Sequence, residues 1–248
     1  MTDLPVALVT GASRGLGAAI AARLAKDGFA VAVNYRSDGE AARRVAEEIT
    51  AAGGTAEPFA ADVTDERAVH ELVAAIRARW GDVAALVINA TGPQPKTPVR
   101  ELSLAEIRMH QEFFVHSPQW LTRACLPGML RAKHGRIVHI GSEISGMAAP
   151  EVASYAVAKA GQEALARAWA VELAPHGITV NTVAPGWIPV ERHADVEAAD
   201  FDRYRARVPS GQLGVPEDIA EAVAYFASPA SGFTTGTRLL VEGGRHLT

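Results

Sequence analysis

Short, almost continuously apolar runs punctuate this chain at near-regular intervals: VALVT at 6–10, AVAVNY at 30–35, TAEPFA at 55–60, AALVIN at 84–89, RIVHI at 136–140, ITVNTVA at 178–184 and RLLV at 238–241. Their length and β-branched content mark strands. Between them lie longer stretches with helical spacing, such as GAAIAARLAKDG, GEAARRVAEEITAAG, ERAVHELVAAIRARWG, YAVAKAGQEALARAWAVELA and PEDIAEAVAYFA, several of them closed by glycine. Strands that are apolar on both faces need cover on both, and alternation with helices supplies it. The pattern predicts an α/β fold: a doubly wound Rossmann sheet of about seven parallel strands with helices on both faces. Ligands of such sheets sit beyond the carboxyl ends of the strands, where the strand order reverses.

No compositional break of the kind linkers make divides the 248 residues, so one domain spanning 1–248 is expected. Lys and Arg total 24 against 28 Asp and Glu, a net charge of −4, which argues against a nucleic-acid or anionic-membrane footprint and for a small ligand. The single Cys125 excludes an intramolecular disulfide, and its apolar setting WLTRACLPGML reads as core. The opening MTDLPVALV lacks the basic segment and long apolar run of a secretory leader, and no run of eighteen apolar residues occurs. A soluble, cytoplasmic protein is expected. The histidines are scattered and HExxH is absent, so no metal site is expected.

Two motifs carry chemistry. Residues 10–17 read TGASRGLG between the first strand and the first helix. Glycines there let the backbone turn tightly and approach a diphosphate, toward which the helix amino terminus directs free N–H groups. The spacing is GxxxGxG rather than GxGxxG; alone it would be a glycine-rich turn, and its place between strand and helix makes it a phosphate cradle. Residues 154–159 read SYAVAK. Tyr155 and Lys159, at i and i+4, share a helix face, so an ammonium can lie beside a phenol. A fixed cation favours the phenolate and lowers a pKa that is otherwise near 10, which makes Tyr155 a candidate proton donor. An isolated YxxxK is more often a solvated helix face, so the rest of the chain has to decide.

With ADV at 61–63, Ser142 thirteen residues before Tyr155, ITVNTVAPG at 178–186 and a tail QLGVPEDIAEAVAYFAS…TTGTRLLVEGG, these motifs resemble the short-chain dehydrogenase/reductase family from Val6 to Gly244. Within it the chain is most similar to the 3-oxoacyl-acyl-carrier-protein reductases and related polyketide ketoreductases. The resemblance implies NADPH-dependent reduction of a ketone to a secondary alcohol, with a β-ketoacyl thioester as the leading substrate. Tyr155 would protonate the ketone oxygen, Ser142 would hydrogen-bond the same oxygen, and Lys159 would depress the phenol pKa and hold the nicotinamide ribose. The cofactor would contact Gly11, Ser13, Arg14, Gly15, Leu16, Gly17, Tyr35, Arg36, Asp62, Val63, Asn89, Ala90, Pro185, Gly186 and Ile188, besides Tyr155 and Lys159. Relatives that prefer NAD carry an acid at the end of the second strand; here that place is Tyr35, followed by Arg36, with Arg14 nearby, so NADPH/NADP is expected. Asp62 is also a candidate helix cap. An acidic acyl carrier protein would meet basic residues near two helix ends, where Lys133 and His176 fall. A homotetramer would form through helices at about 113–133 and 154–174 and the last strand region, with Trp169 and Phe226 serving either that interface or the core.

Three departures from the family pattern stand out. INAT at 88–91 places Thr91 where relatives have glycine, and the loop TGPQPKTP that follows is stiffened by prolines into one wall of the substrate entrance. Phe114 falls where relatives carry an asparagine that holds a water on the catalytic lysine; a phenyl ring cannot do so, and Gln111, His110 or His116 are candidate substitutes. Val190 replaces a threonine that bonds the nicotinamide carboxamide. Residues 187–213 fall where this fold places a substrate lid, and Arg203, Arg205 and Arg207 within it read as a solvated helix face rather than an anion site. Two other readings stand beside the ketoreductase: a dehydrogenase of a free small alcohol, sugar or ketone, and a catalytically impaired nucleotide-binding scaffold. Phe114 motivates the second; Ser142, Tyr155 and Lys159 oppose it.

Overall fold

The computed structural model describes residues 4–248. Strands β1 (Val6–Val9), β2 (Ala30–Tyr35), β3 (Thr55–Ala60), β4 (Val83–Ile88), β5 (Gly135–Ile140), β6 (Ile178–Pro185) and β7 (Arg238–Val241) form one parallel sheet in the order β3-β2-β1-β4-β5-β6-β7. Helices α1 (Gly15–Lys26), α2 (Gly39–Ala51) and α8 (Pro216–Ala227) cover one face; α3 (Glu66–Arg79), α5 (Ser117–Ala132) and α6 (Ala153–Leu173) cover the other. The remaining helices are α4 (Leu104–Gln111) and α7 (Ala198–Arg205).

The period of two in a strand divides the core. Ala7 and Val9 of β1 join Val31 and Val33 of β2 beneath α1, α2 and α8, while Val6, Leu8, Ala30 and Ala32 face the other layer. Each fully buried Leu or Ile, such as Leu8, Ile20, Ile76 and Leu86, contributes roughly 1.5–3 kcal/mol. TAEPFA is less buried than the central strands because β3 is a sheet edge, the one place where Pro58 costs no ladder bond. Phe226 is a core residue, whereas Trp169 is partly buried, packing against the core beside His139. Cys125 is buried, and desolvation pushes its thiol up to about 12, so it is inert.

Helix starts are capped by Asp38, Asp65 and Ser103, whose side chains accept from the backbone N–H of Ala41, Ala68 and Glu106. Asp65, not Asp62, is thus the cap in ADVTDE; Asp62 Oδ1 instead accepts from Thr64 N at 2.9 Å and Thr64 Oγ1 at 2.7 Å. Between α4 and α5 the chain runs through a π-helical turn at Glu112–His116, which widens the helix locally and turns both Phe113 and Phe114 inward. Among the described residues no helix is long and apolar enough to cross a membrane.

Candidate active site

The strand order reverses between β1 and β4, so the loops leaving these two neighbours open a crevice at their carboxyl ends. Both loops are pinned together. Thr10 Oγ1 accepts from Asn89 N at 2.9 Å and Ala90 N at 3.0 Å, and Asn89 Nδ2 donates to the carbonyls of Thr10 (2.8 Å) and Gly11 (3.1 Å). Asn34, from β2, accepts from Gly11 N through its side chain at 3.3 Å. Gly11 and Gly15 hold φ of 61° and 56°, and a Cβ at Gly17 would stand 2.3 Å from Gly11 O. Only glycines permit this cradle, which leaves the amino terminus of α1 accessible beside the partly exposed Ser13 and Leu16.

At the end of β2, Tyr35 lies across the backbone of Gly39. Arg36 is exposed, 3.9 Å from Asp62, and Arg14 is exposed at the start of α1; Val63 is buried. An exposed pair at that distance is worth about 0–1 kcal/mol, so Arg36 is free to leave Asp62 for a phosphate. Thr91 stands where a glycine was expected, yet among the described residues only Lys133 and Glu151 have positive φ without being glycine. The substitution therefore leaves the backbone of this loop unstrained.

Ser142 follows β5 and caps a short turn at Glu143–Gly146, its Oγ accepting from Ile144 N at 3.3 Å. Tyr155 and Lys159 rise from the first turns of α6. Ser142 and Gln94 both approach the Tyr155 hydroxyl. The electrostatics differ from the expectation built on the i,i+4 spacing. Burial raises the pKa of Tyr155 above its usual value, opposed in order by Ser142, Arg192 and Gln94; Lys159 is not among the groups that lower it. The Lys159 ammonium points elsewhere, donating to Ile140 O at 2.6 Å and Gln162 Oε1 at 3.0 Å. It lies 3.9 Å from the centroid of the Phe114 ring and 5.8 Å from that of Tyr155. Desolvation lowers its pKa to about 7; Arg192 pushes the same way and Glu163 opposes.

Phe114 faces Lys159 and meets Tyr155 edge-on at 5.4 Å, so an apolar ring lies against the ammonium. Of its three candidate substitutes only His110 is in the site, 5.7 Å from the Tyr155 ring and bonded through Nε2 to Pro93 O. His116 is exposed against Trp120, and no contact joins Gln111 to Lys159. Beneath the serine loop, Arg238 of β7 donates to Glu163 Oε1 (2.8 Å), Ser142 O (3.0 Å) and Ser145 Oγ (3.1 Å). Ser145 Oγ also donates to Glu163.

The segment after β6 closes the crevice. Gly186 N donates to Val241 O at 3.0 Å, Pro185 and Ile188 are buried, and Val190 and Glu191 pack against Gly15. Trp187, His193, Phe201 and Tyr204 form an aromatic cluster. The Tyr204 hydroxyl donates to Glu143 Oε1 at 2.9 Å and accepts from Trp187 N at 2.8 Å, while Arg245 pairs with Glu143 Oε2 at 3.5 Å. Arg203 and Arg205 pair with Asp200 and Asp202 on the exposed face of α7, as a solvated face should. Lys133 and His176 are exposed at the other end of the sheet, just before β5 and β6 begin.

Gln94, Gln162, Arg192 and Arg238 were missing from the sequence reading. Gln162 had a usable signal, since it sits three residues after Lys159 on the same helix face. The others reach the site across long sequence separations and carry none.

A parallel sheet with a glycine cradle at its switch point, and a buried tyrosine hydroxyl facing the same crevice, is the architecture of nucleotide-dependent oxidoreductases. Known proteins agree. The family described as enoyl-(acyl carrier protein) reductase matches residues 11–246. A cis-4-hydroxycyclohexanecarboxylate dehydrogenase of Sinomonas cyclohexanicum is 38% identical, covering 96% of this chain and 95% of its own. A 3-oxoacyl-(acyl-carrier-protein) reductase of Vibrio cholerae is 36% identical, covering 98% and 97%. The structure of a gluconate 5-dehydrogenase from Burkholderia cenocepacia, in complex with NADP and tartrate, superposes with a TM-score of 0.92 at 30% identity, covering 100% of this chain and 97% of its own. The chain belongs to the short-chain dehydrogenase/reductase family, whose members are oxidoreductases that use a nicotinamide cofactor.

Proposed function

We propose that this oxidoreductase uses NADPH to reduce a ketone to a secondary alcohol, with a β-ketoacyl thioester on an acyl carrier protein as the first candidate substrate. The observation that carries the reading is the meeting of Ser142, Gln94 and Tyr155 at one hydroxyl, beside a glycine cradle flanked by Arg14 and Arg36. When bound, the reduced nicotinamide supplies hydride to the carbonyl carbon. The loop of Gly11, Gly15 and Gly17 would hold the diphosphate, and Arg14 and Arg36 would hold the phosphate on the adenosine ribose. Asp62 and Val63 would border the adenine, Asn89, Ala90 and Lys159 the second ribose, and Pro185, Gly186 and Ile188 the nicotinamide. Ser142 orients the ketone oxygen and Tyr155 passes it a proton as negative charge develops there. The raised pKa keeps Tyr155 protonated at neutrality, ready to donate, and Arg192 steadies the phenolate left behind.

The test is the loss of reduced-nicotinamide absorbance with a panel of short β-ketoacyl thioesters, an enoyl thioester, and free keto acids and neutral ketones. NADPH binding without turnover of any of them would favour a scaffold. Arg36→Ala should weaken NADPH by about tenfold or more while changing NADH little; equal losses, measured by fluorescence titration, would remove the phosphate argument.

A second reading, a dehydrogenase of a free hydroxy acid, is favoured by Arg192. Its guanidinium bonds His193 Nε2 at 3.2 Å, makes no carboxylate ion pair among the described residues, and acts electrostatically on both Tyr155 and Lys159. Lys133 and His176 lie away from the crevice, and the Sinomonas relative is named for a hydroxy acid. Arg192→Ala should raise KM for an acidic ketone by about tenfold while sparing a neutral ketone of the same size; equal effects on both would remove the anion argument. Exposed Val157 and Val171 of α6, with Phe233 beside β7, support a homotetramer, which light scattering of the purified protein would test.

A further inference from the structure

Lys159 is a buried cation with no carboxylate within ion-pair distance among the described residues. What it has is two carbonyl oxygens and an aromatic face. The carbonyl of Ile140 belongs to β5 and is fixed by the sheet. Gln162 is different: it is a side chain, 1% exposed, spending its amide oxygen on Nζ at 3.0 Å. Phe114, equally buried, closes the third side at 3.9 Å from the ammonium. A glutamine so deeply buried is costly unless its polar atoms are used, and a charge-assisted bond is the strongest use available.

We propose that Gln162 is a positioning residue of this centre: its amide oxygen, with the Phe114 face, holds the ammonium of Lys159 beneath Tyr155. The proposal rests on the oxidoreductase reading for what Lys159 is held to do, but the holding itself can be measured without turnover.

The groups around Lys159 can be named. On α6 they are Tyr155 and Glu163; from the segment after β6 comes Arg192; on β5 sits His139 and on α4 His110. Burial holds both histidines neutral, His139 down to about 3. Glu163 favours the ammonium but is engaged by Arg238, and Arg192 opposes it. Gln162 is thus the adjustable partner. A carbonyl dipole binds an ammonium more strongly than an amine, so removing it favours the neutral amine.

The experiment is an NMR titration of the full chain carrying ¹³C at the lysine ε-carbon, where Lys26, Lys96 and Lys133 are the only other side-chain signals. Gln162→Leu should lower the Lys159 midpoint by about one pH unit, and the near-isosteric Gln162→Glu should raise it by at least as much. If Gln162→Leu does not fold, Gln162→Glu alone decides. The pH profile of kcat for any ketone that is turned over should move the same way. A midpoint that stays put in the folded variants overturns the proposal. Should the unaltered protein reduce no ketone, the functional reading fails while the titration still rules on Gln162.

Discussion

Replacing Tyr155 by phenylalanine is expected to lower kcat/KM for ketone reduction by roughly two to four orders of magnitude while leaving NADPH binding nearly unchanged. The reasoning starts from packing. The ring meets Phe114 at 5.4 Å and His110 at 5.7 Å through its carbon framework, and phenylalanine keeps that framework. Only the hydroxyl is lost, and the hydroxyl is what Ser142 and Gln94 approach within the field of the Arg192 charge. Steady-state kinetics on a substrate found in the panel, paired with a binding titration, check both halves. A variant that reduces ketones at the normal rate would remove Tyr155 from the mechanism; one that also loses cofactor would mean the ring, not the hydroxyl, was disturbed.

The second large effect is expected at Gly17. An added methyl in Gly17→Ala would stand 2.3 Å from Gly11 O, 2.7 Å from Asn89 Nδ2 and 2.8 Å from Ala12 Cα. Backbone lies on two of those sides, so no flexible side chain can swing away. Overpacking of this kind costs about 1–3 kcal/mol, a fall in Tm of about 2–12 °C for a chain of this size. The loss of cofactor affinity should be larger still, because the methyl must push apart the two loops that Asn89 ties together. Calorimetry and a binding titration read the two effects. A Gly17→Ala protein with normal Tm and normal NADPH affinity would show that the cradle tolerates what the geometry forbids. Gly28→Ala offers the contrast: nothing stands within 4 Å of its added carbon, and only its φ of 90° resists.

The sheet was legible because its signal is local. Runs such as AVAVNY and TAEPFA coincide with β2 and β3, since an apolar run of strand length between helical patterns has few other places to go. Ser142, Tyr155 and Lys159 were legible through spacing, and the structure brings them to one end of the sheet, although it turns Lys159 toward Gln162 rather than the phenol. The i,i+4 rule gives a shared helix face; it does not say which neighbour wins the ammonium. Nor does it say how deep the pair will lie, and depth decides the direction in which each group's pKa moves. Asp62 misled for a related reason: ADVTDE offers two acids for one cap, and only the backbone shows that Asp65 takes it. Arg238 was beyond reach, joined to Ser142 across 96 positions by a contact that exists only after β7 has docked.

Tyr204 grips Glu143, the residue next to Ser142, and Arg245 clamps the same carboxyl from below. Lifting α7 therefore strips a partner from an acid that burial already leaves short of solvent. The helix over the mouth of the crevice and the turn that carries Ser142 are thus joined through one buried carboxyl, so a change at either end is felt at the other.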